Sequence, residues 1–190
     1  MKHNVMDREL KSEIAFRDFD MEKDFSRIYK WMHQPYVIPF WQLNLSKENL
    51  KSHMSEARID PHQSLYIGSI NGDPMSYWEA YWVQGDVVEK YYEADPFDQG
   101  IHLLIGEADY LGRGLALPLL RAMVDFQFKW KQTKKVIAEP DHRNEKMIHV
   151  FEKCGFKKIK KIELPDKTAL LMFCEREEFE KRWKNDATHL

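Results

Sequence analysis

Cysteine is scarce: the 190 residues hold two, Cys154 and Cys174, with no CxxC spacing. That excludes a disulfide framework and argues against a structural zinc site. Both read as reduced core residues of a cytosolic protein. An excess of charge is missing too, since 29 Lys+Arg face 31 Asp+Glu for a formal net charge of −2. Without a basic surplus the chain has little with which to displace a polyanion's counterions, so no nucleic-acid partner is expected. No stretch approaches the ~20 apolar residues of a membrane span. The polar opening MKHNVMDRELKSE lacks the apolar centre of a signal peptide. A soluble, cytoplasmic protein with no membrane partner is the expectation. Internal repeats and low-complexity linkers are also lacking, which favours a single domain.

What is present is core-forming material, 43% hydrophobic and 13% aromatic. That suffices for one domain of this length without a covalent or metal staple. Residues 1–12 read as a flexible arm and 13–185 as the domain. Ile14 to Phe19 forms a first strand, and a helix from about Asp20 places Phe25, Ile28, Tyr29 and Met32 on one face. The aromatic stretch 34–45, with Pro35 and Pro39, reads as a loop. Ser46 then caps a second helix. Two strands, Ser64–Ile70 and Met75–Val83, flank Asn71-Gly72, a strong hairpin signal. Residues 84–100 hold a possible short strand and an acidic loop.

Ile101 to Ile105 is a compact apolar strand. Leu115, Ala116, Leu119, Leu120, Met123 and Val124 then recur at helical spacing, with Pro118 tolerated in the first turn. Lys135–Ala138 is a short strand. Asn144 caps a helix that Gly155 stops. Two strands around Pro165-Asp166-Lys167 and a charged helical tail from Glu175 to about Trp183 complete the chain. The fold class is α/β, with an antiparallel half and a parallel crossover.

The chemistry-bearing stretch is Asp109-Tyr-Leu-Gly112-Arg113-Gly114-Leu115-Ala116, set between a strand and a helix. Two glycines at i and i+2 permit a tight turn that bares main-chain N–H groups at a helix N-terminus, where a phosphate is favoured. Arg113 adds a charge. Alone, the pattern also suits an ordinary strand–helix turn, and it is neither a P-loop nor a full dinucleotide fingerprint. A second block follows: Glu139-Pro-Asp141-His-Arg143-Asn144, then Phe151-Glu-Lys-Cys-Gly-Phe156.

Together the two blocks resemble the GNAT superfamily of acyl-CoA N-acyltransferases over roughly residues 12–180. Asp109 departs from that family's usual Gln/Arg at the head of the pyrophosphate motif, so its side chain is expected to point away. The resemblance implies a mixed, mostly antiparallel sheet whose central parallel strands, 101–105 and 135–139, splay apart at the acyl-CoA site. It implies acetyl-CoA (or another acyl-CoA) as co-substrate and no metal. Main-chain groups of Leu103, Leu104 and Ile105 would pair with pantetheine. Gly112, Arg113, Gly114, Leu115 and Ala116 would hold the diphosphate, with Asn144 and Phe151 along the thiol arm. A plain cap at Asn144 and plain core at Phe151 remain alternatives.

Gly100-x-His102 and Glu139-Pro-Asp141-x-Arg-Asn resemble the siderophore-biosynthesis branch, which acylates hydroxylysine, related hydroxylamines and lysine. By that likeness His102 and Asp141 are the catalytic candidates, a ring oriented by a carboxylate. Trp78 and Glu79, on opposite faces of an aromatic strand, are candidate acceptor-binding residues, with core packing as the alternative. The reaction this likeness implies is transfer of an acyl group, most simply acetyl, to the terminal (hydroxyl)amine nitrogen of a lysine- or diamine-derived siderophore precursor, forming a hydroxamate. An aminoglycoside 6'-N-acetyltransferase or another small-amine enzyme is the nearest alternative, and a non-catalytic acyl-CoA-binding module the one from a different class. Either a monomer or a homodimer is compatible with the sequence.

Overall fold

The computed structural model describes residues 2–183 and 187–188. Strand β1 (Lys2–Asp7) is followed by β2 (Ser12–Asp18) and helix α1 (Met21–Met32). Asp20 starts α1 by accepting from the amides of Glu22 and Lys23 at 3.0 Å each. It thereby satisfies two donors that a helix start otherwise leaves orphaned. The expected loop after α1 contains one short helical turn, α2 (Ile38–Trp41). Pro39 fits its start, and Gln42, at φ 54°, ends it. Ser46 caps α3 (Lys47–Ile59) through the Asn49 amide at 3.2 Å.

The hairpin forms as expected, from β3 (Gln63–Ile70) and β4 (Asp73–Trp82). Asn71 and Gly72 turn it at φ 50° and 86°, the positive pair that a type I′ turn requires. Residues 87–91 form a 3-10 turn rather than a strand, with the Asp86 side chain accepting from the Val88 amide. Then come β5 (Gln99–Ile105), α4 (Ala116–Phe128), β6 (Lys135–Ala138) and α5 (Glu145–Cys154). The chain continues through β7 (Lys157–Glu163), β8 (Thr168–Glu175), α6 (Arg176–Trp183) and the two-residue β9 (Ala187–Thr188).

The segment expected as a loose arm is an edge strand. Residues 2–7 pair with β2 from Lys2↔Arg17 to Asp7↔Ser12. His3, Val5 and Asp7 all point inward and are buried. The Asp7 carboxylate takes the Glu9 and Leu10 amides on one oxygen and Arg121 Nη2 of α4, at 2.5 Å, on the other. The expected domain end at 185 lies outside the described residues.

The sheet runs β7-β8-β6-β5-β4-β3-β2-β1-β9 and is antiparallel except between β5 and β6. One face packs against α4 and α5 through Trp78, Ile101, Leu103, Leu119 and Phe151. The opposite face packs against α1 and α3 through Tyr77, Leu104, Ile28, Trp31 and Leu50. Among the described residues, the parallel pair is joined only at Gln99↔Val136 and Gly100↔Ile137. Beyond Gly100, β5 keeps β4 on one side and, among the described residues, has no strand on the other. β6 gives way to Glu139 and Pro140, whose ring lacks the N–H a ladder needs. The sheet therefore opens at its centre. Gly100 is required at the last joined pair, because a Cβ there would lie 2.0 Å from the Tyr81 ring.

Candidate active site

Three strands deliver one cluster to the opening. Antiparallel register sets Glu79 of β4 opposite His102 of β5, and alternation puts Tyr77, Glu79 and Tyr81 on the same face. The parallel neighbour supplies Glu139. His102 Nδ1 lies 2.9 Å from Glu79 Oε2, and Nε2 lies 2.5 Å from Glu139 Oε1. A neutral imidazole has one N–H and one acceptor nitrogen, so two ionised carboxylates on its two nitrogens call for the doubly protonated ring. Burial alone would lower the His102 pKa, but Glu139 and Glu79 outweigh it and raise the pKa to about 10. Burial acts to raise the Glu139 pKa, yet His102 and Lys167 bring it down to about 2. Glu79 is lowered in the same way, chiefly by His102 against its burial.

The carboxylates are themselves held. Tyr77 donates to Glu79 at 2.9 Å and Tyr81 to Glu139 at 2.7 Å. Lys167 Nζ sits 3.3 Å from the other oxygen of Glu139. Trp41 and Tyr81 flank the ring, with centroids 6.3 and 5.0 Å from it. The His102 side chain is 34% exposed against 13% and 6% for Glu79 and Glu139, so the ring is the part that faces the open space.

That space is a cleft of about 260 Å³. It draws side chains from both sides of the sheet. Glu79, His102 and Trp41 come from the α1–α3 side, while Ile101, Leu103, Met147 and Phe151 come from the α4–α5 side. The cleft thus passes through the gap between β5 and β6. Six of the residues singled out in the sequence line it: Glu79, His102, Leu103, Asp141, Asn144 and Phe151.

Not every expected contact forms. Asp141 does not meet His102. Its two oxygens accept from Arg143 Nε at 2.9 Å and Nη2 at 2.6 Å, and its backbone bridges to Ala169. Arg143, through hydrogen bonds that outweigh burial, holds the Asp141 pKa at about 2. The carboxylates that serve the ring are Glu79 and Glu139. Glu139 lies two positions before Asp141 in the same short motif, and only the parallel register shows which acid reaches the ring. Trp78 is a correction: it is fully buried on the opposite face from Glu79, edge-on to Phe16 with its indole N–H on Ser76, and does not reach the cleft. Leu104 packs into the α1–α3 core, away from Leu103. Lys167 and Trp41, which carried no motif, complete the site.

Gly112 and Gly114 adopt φ 69° and 73°, and residues 111–114 are exposed. Among the described residues, the main-chain N–H groups of 112–117 make no hydrogen bond. No atom lies within 4 Å of a Cβ built at either glycine. Open donors at the start of α4 with nothing over them are what a diphosphate needs. Asp109 is exposed, and its main-chain carbonyl, 3.4 Å from Arg113 Nη1, is the group that faces Arg113. Residues 112–117 fit the diphosphate of a coenzyme, and the gap at β5 fits its acyl arm.

Among the described residues no helix is long and apolar enough to cross a membrane, and no cluster of three or more His, Cys, Asp or Glu is placed to hold a metal ion.

A centrally split sheet, a bare-amide turn after the splayed strand and a cleft through the gap define an acyltransferase that draws on acyl-CoA. The chain belongs to the GNAT acetyltransferases: the acetyltransferase (GNAT) domain family matches residues 20–164. The N-hydroxyputrescine acetyltransferase of Acinetobacter baumannii is 36% identical over 175 residues, covering 90% of this chain and 82% of that one. The N(6)-hydroxylysine O-acetyltransferase of Escherichia coli is 28% identical, covering 91% of this chain and 55% of that one. Both support the branch that the sequence resembles. Among solved structures, an uncharacterized protein from Bacillus halodurans matches with TM-score 0.95 and 48% identity, covering 97% and 95% of the two chains. The enzyme AAC(6')-Ib, solved with acetyl-CoA and an aminoglycoside, matches with TM-score 0.81 and 26% identity, covering 88% and 96%.

Proposed function

We propose that this enzyme transfers an acetyl group from acetyl-CoA to the hydroxylamine nitrogen of a small siderophore precursor, forming a hydroxamate. The observation that carries the reading is the His102 ring clamped between Glu79 and Glu139. A ring protonated on both nitrogens is a donor and a fixed positive charge, not a ready base. An alkylammonium acceptor must lose a proton before it can attack, whereas a hydroxylamine nitrogen is neutral at neutral pH and needs no such step. The acceptor nitrogen bonds to the acyl carbon, the carbon–sulfur bond breaks, and the proton from nitrogen ends on the thiol.

Within that reaction the chain positions and polarises. His102, locked by its two carboxylates, presents ring edge and charge to the acceptor. Asp141, held by Arg143, shapes the wall beside it, and Asn144, Phe151 and Leu103 line the donor side. The amides of 112–117, with Arg113, hold the diphosphate.

The likeness to AAC(6')-Ib supports a second reading, in which the acceptor is an aminoglycoside amine. Initial rates with acetyl-CoA and, in turn, N-hydroxyputrescine, N6-hydroxylysine, lysine and kanamycin separate the two. The first reading expects hydroxylamines to exceed lysine and kanamycin in kcat/KM by at least ~100-fold. A preference for kanamycin would overturn it.

A further inference from the structure

Acyl transfer to nitrogen sheds one proton. As the nitrogen lone pair becomes the bond to the acyl carbon, the N–H left on that nitrogen turns strongly acidic and needs an acceptor. His102 cannot serve, because its ring is protonated on both nitrogens and each already faces a carboxylate. Glu79 and Glu139 are held ionised below the ordinary carboxylate range and are engaged with that ring. Asp141 is engaged with Arg143, and Lys167 with Glu139.

The cleft contains a second imidazole, His53 of α3. Leu50, Met54 and Ala57, at i, i+4 and i+7, bury one stripe of that helix in the α1–α3 core and fix it against the sheet. His53, one position before Met54, is carried at the margin of the stripe, exposed and lining the cleft. Among the described residues its ring nitrogens make no hydrogen bond or ion pair. A neutral imidazole keeps one nitrogen as an acceptor, and it is the side chain whose ordinary titration range includes neutral pH. Glu79 ties the two rings to one locality. Its burial favours the uncharged acid, but His102 and Tyr77 hold it ionised, and His53 adds to that when it carries a proton.

We propose, resting on acyl transfer to a nitrogen acceptor in this cleft as read above, that His53 is a catalytic residue that takes the proton shed by that nitrogen. The lone pair of nitrogen forms the bond to the acyl carbon while the carbonyl electrons move onto oxygen. A ring nitrogen of neutral His53 accepts the N–H proton. The carbonyl re-forms, the carbon–sulfur bond breaks, and sulfur leaves with the bonding pair. His53 then gives its proton through solvent to that thiolate, which returns the ring to its neutral form. The two histidines thus divide the work: His102 supplies a fixed charge, and His53 a movable proton site.

Charged groups of both signs surround the His53 ring. Glu79 comes from β4, His102 from β5, and Glu139 and Asp141 from the segment after β6. Asp166 and Lys167 come from the turn between β7 and β8. Glu56, one turn along α3, accepts from the Ser52 hydroxyl at 3.2 Å.

The test follows kcat against pH at saturating acetyl-CoA and hydroxylamine, for wild type, His53→Gln and His53→Ala. At saturation kcat reports groups of the loaded enzyme rather than the ionisation of the free acceptor. The wild-type kcat should fall on the acid side as His53 takes up a proton. His53→Gln should lower kcat by about 100-fold, the low end for losing a general base, because water can replace an exposed ring in part. It should also abolish the acid limb, with KM for acetyl-CoA and the urea midpoint unchanged. Free imidazole should restore part of the rate of His53→Ala. A kcat for His53→Gln within threefold of wild type, or an acid limb that persists with no rescue by imidazole, would overturn the role of His53 while leaving the hydroxylamine reading in place. If the wild type acylates kanamycin and no hydroxylamine, that reading falls, and the same profile and rescue with kanamycin decide for or against His53.

Discussion

At the scale of single residues, His102 makes the sharpest claims. Its pKa of about 10 in the folded protein compares with about 6.5 in an unfolded chain. A raised value of this kind contributes stability in full below about pH 6.5 and loses it as pH climbs through 10. The urea midpoint of the wild type should therefore exceed that of His102→Gln most at pH 6, with the gap narrowing by pH 10. A gap that widens over that interval would contradict a charged ring. Glu139 runs the other way, with a folded pKa of about 2 against an ordinary value of about 4.3. Its contribution is complete above that ordinary value and drains away as pH falls towards 2. In catalysis, His102→Gln should lower kcat by about 100-fold, the scale for losing one preorganised charge beside the reacting groups. Isothermal titration should find acetyl-CoA affinity nearly unchanged. An equal loss in donor affinity would move His102 from the acceptor side to the donor side.

At the scale of elements, the turn before α4 and the joint of β5 with β6 each rest on glycine, for different reasons. Gly112 and Gly114 sit in open space at positive φ, so valine at either position meets no neighbour but must adopt a conformation costing roughly 1–2 kcal/mol. The variants should stay folded and bind acetyl-CoA at least ~10-fold more weakly, since the turn loses its shape and its donors are crowded. At Gly100 space itself is the constraint. An added methyl displaces the Tyr81 ring, and with it the hydroxyl that holds Glu139. Gly100→Ala should cost about 1–3 kcal/mol by overpacking and lower kcat as well. Elements with local signals were legible in the sequence. Asp20, Ser46 and Asn144 cap their helices within three residues, and Asn71-Gly72 turns its hairpin from within itself. The partnership of His102 with Glu139 was not legible, because it joins residues 37 apart through a parallel register that no short window contains. Alternation did separate Trp78 from Glu79, but periodicity alone assigns two faces without saying which one borders the cleft.

At the scale of the whole molecule, the polar N-terminus shows how a buried strand escapes notice. His3 and Asp7 read as solvent-loving, yet both are buried, and Asp7 is matched by Arg121 from a helix 114 residues away. Removing the Asp7 carboxylate breaks a buried charge-assisted pair and takes the acceptor from the Glu9 and Leu10 amides, so Asp7→Ala should cost about 3 kcal/mol in urea unfolding. A cost near zero would return the segment to the flexible arm that its composition suggests. The domain class, the mixed sheet and the acyl-CoA chemistry were all within reach of two motif blocks; the charge arrangement of the cleft required the folded chain. The passage through the sheet has a further consequence. Two reactants can approach from opposite sides of one wall and meet at a shared window, so neither has to vacate a common doorway for the other. Such an enzyme has no structural reason to impose an order of arrival, and product-inhibition patterns should read as random rather than sequentially ordered.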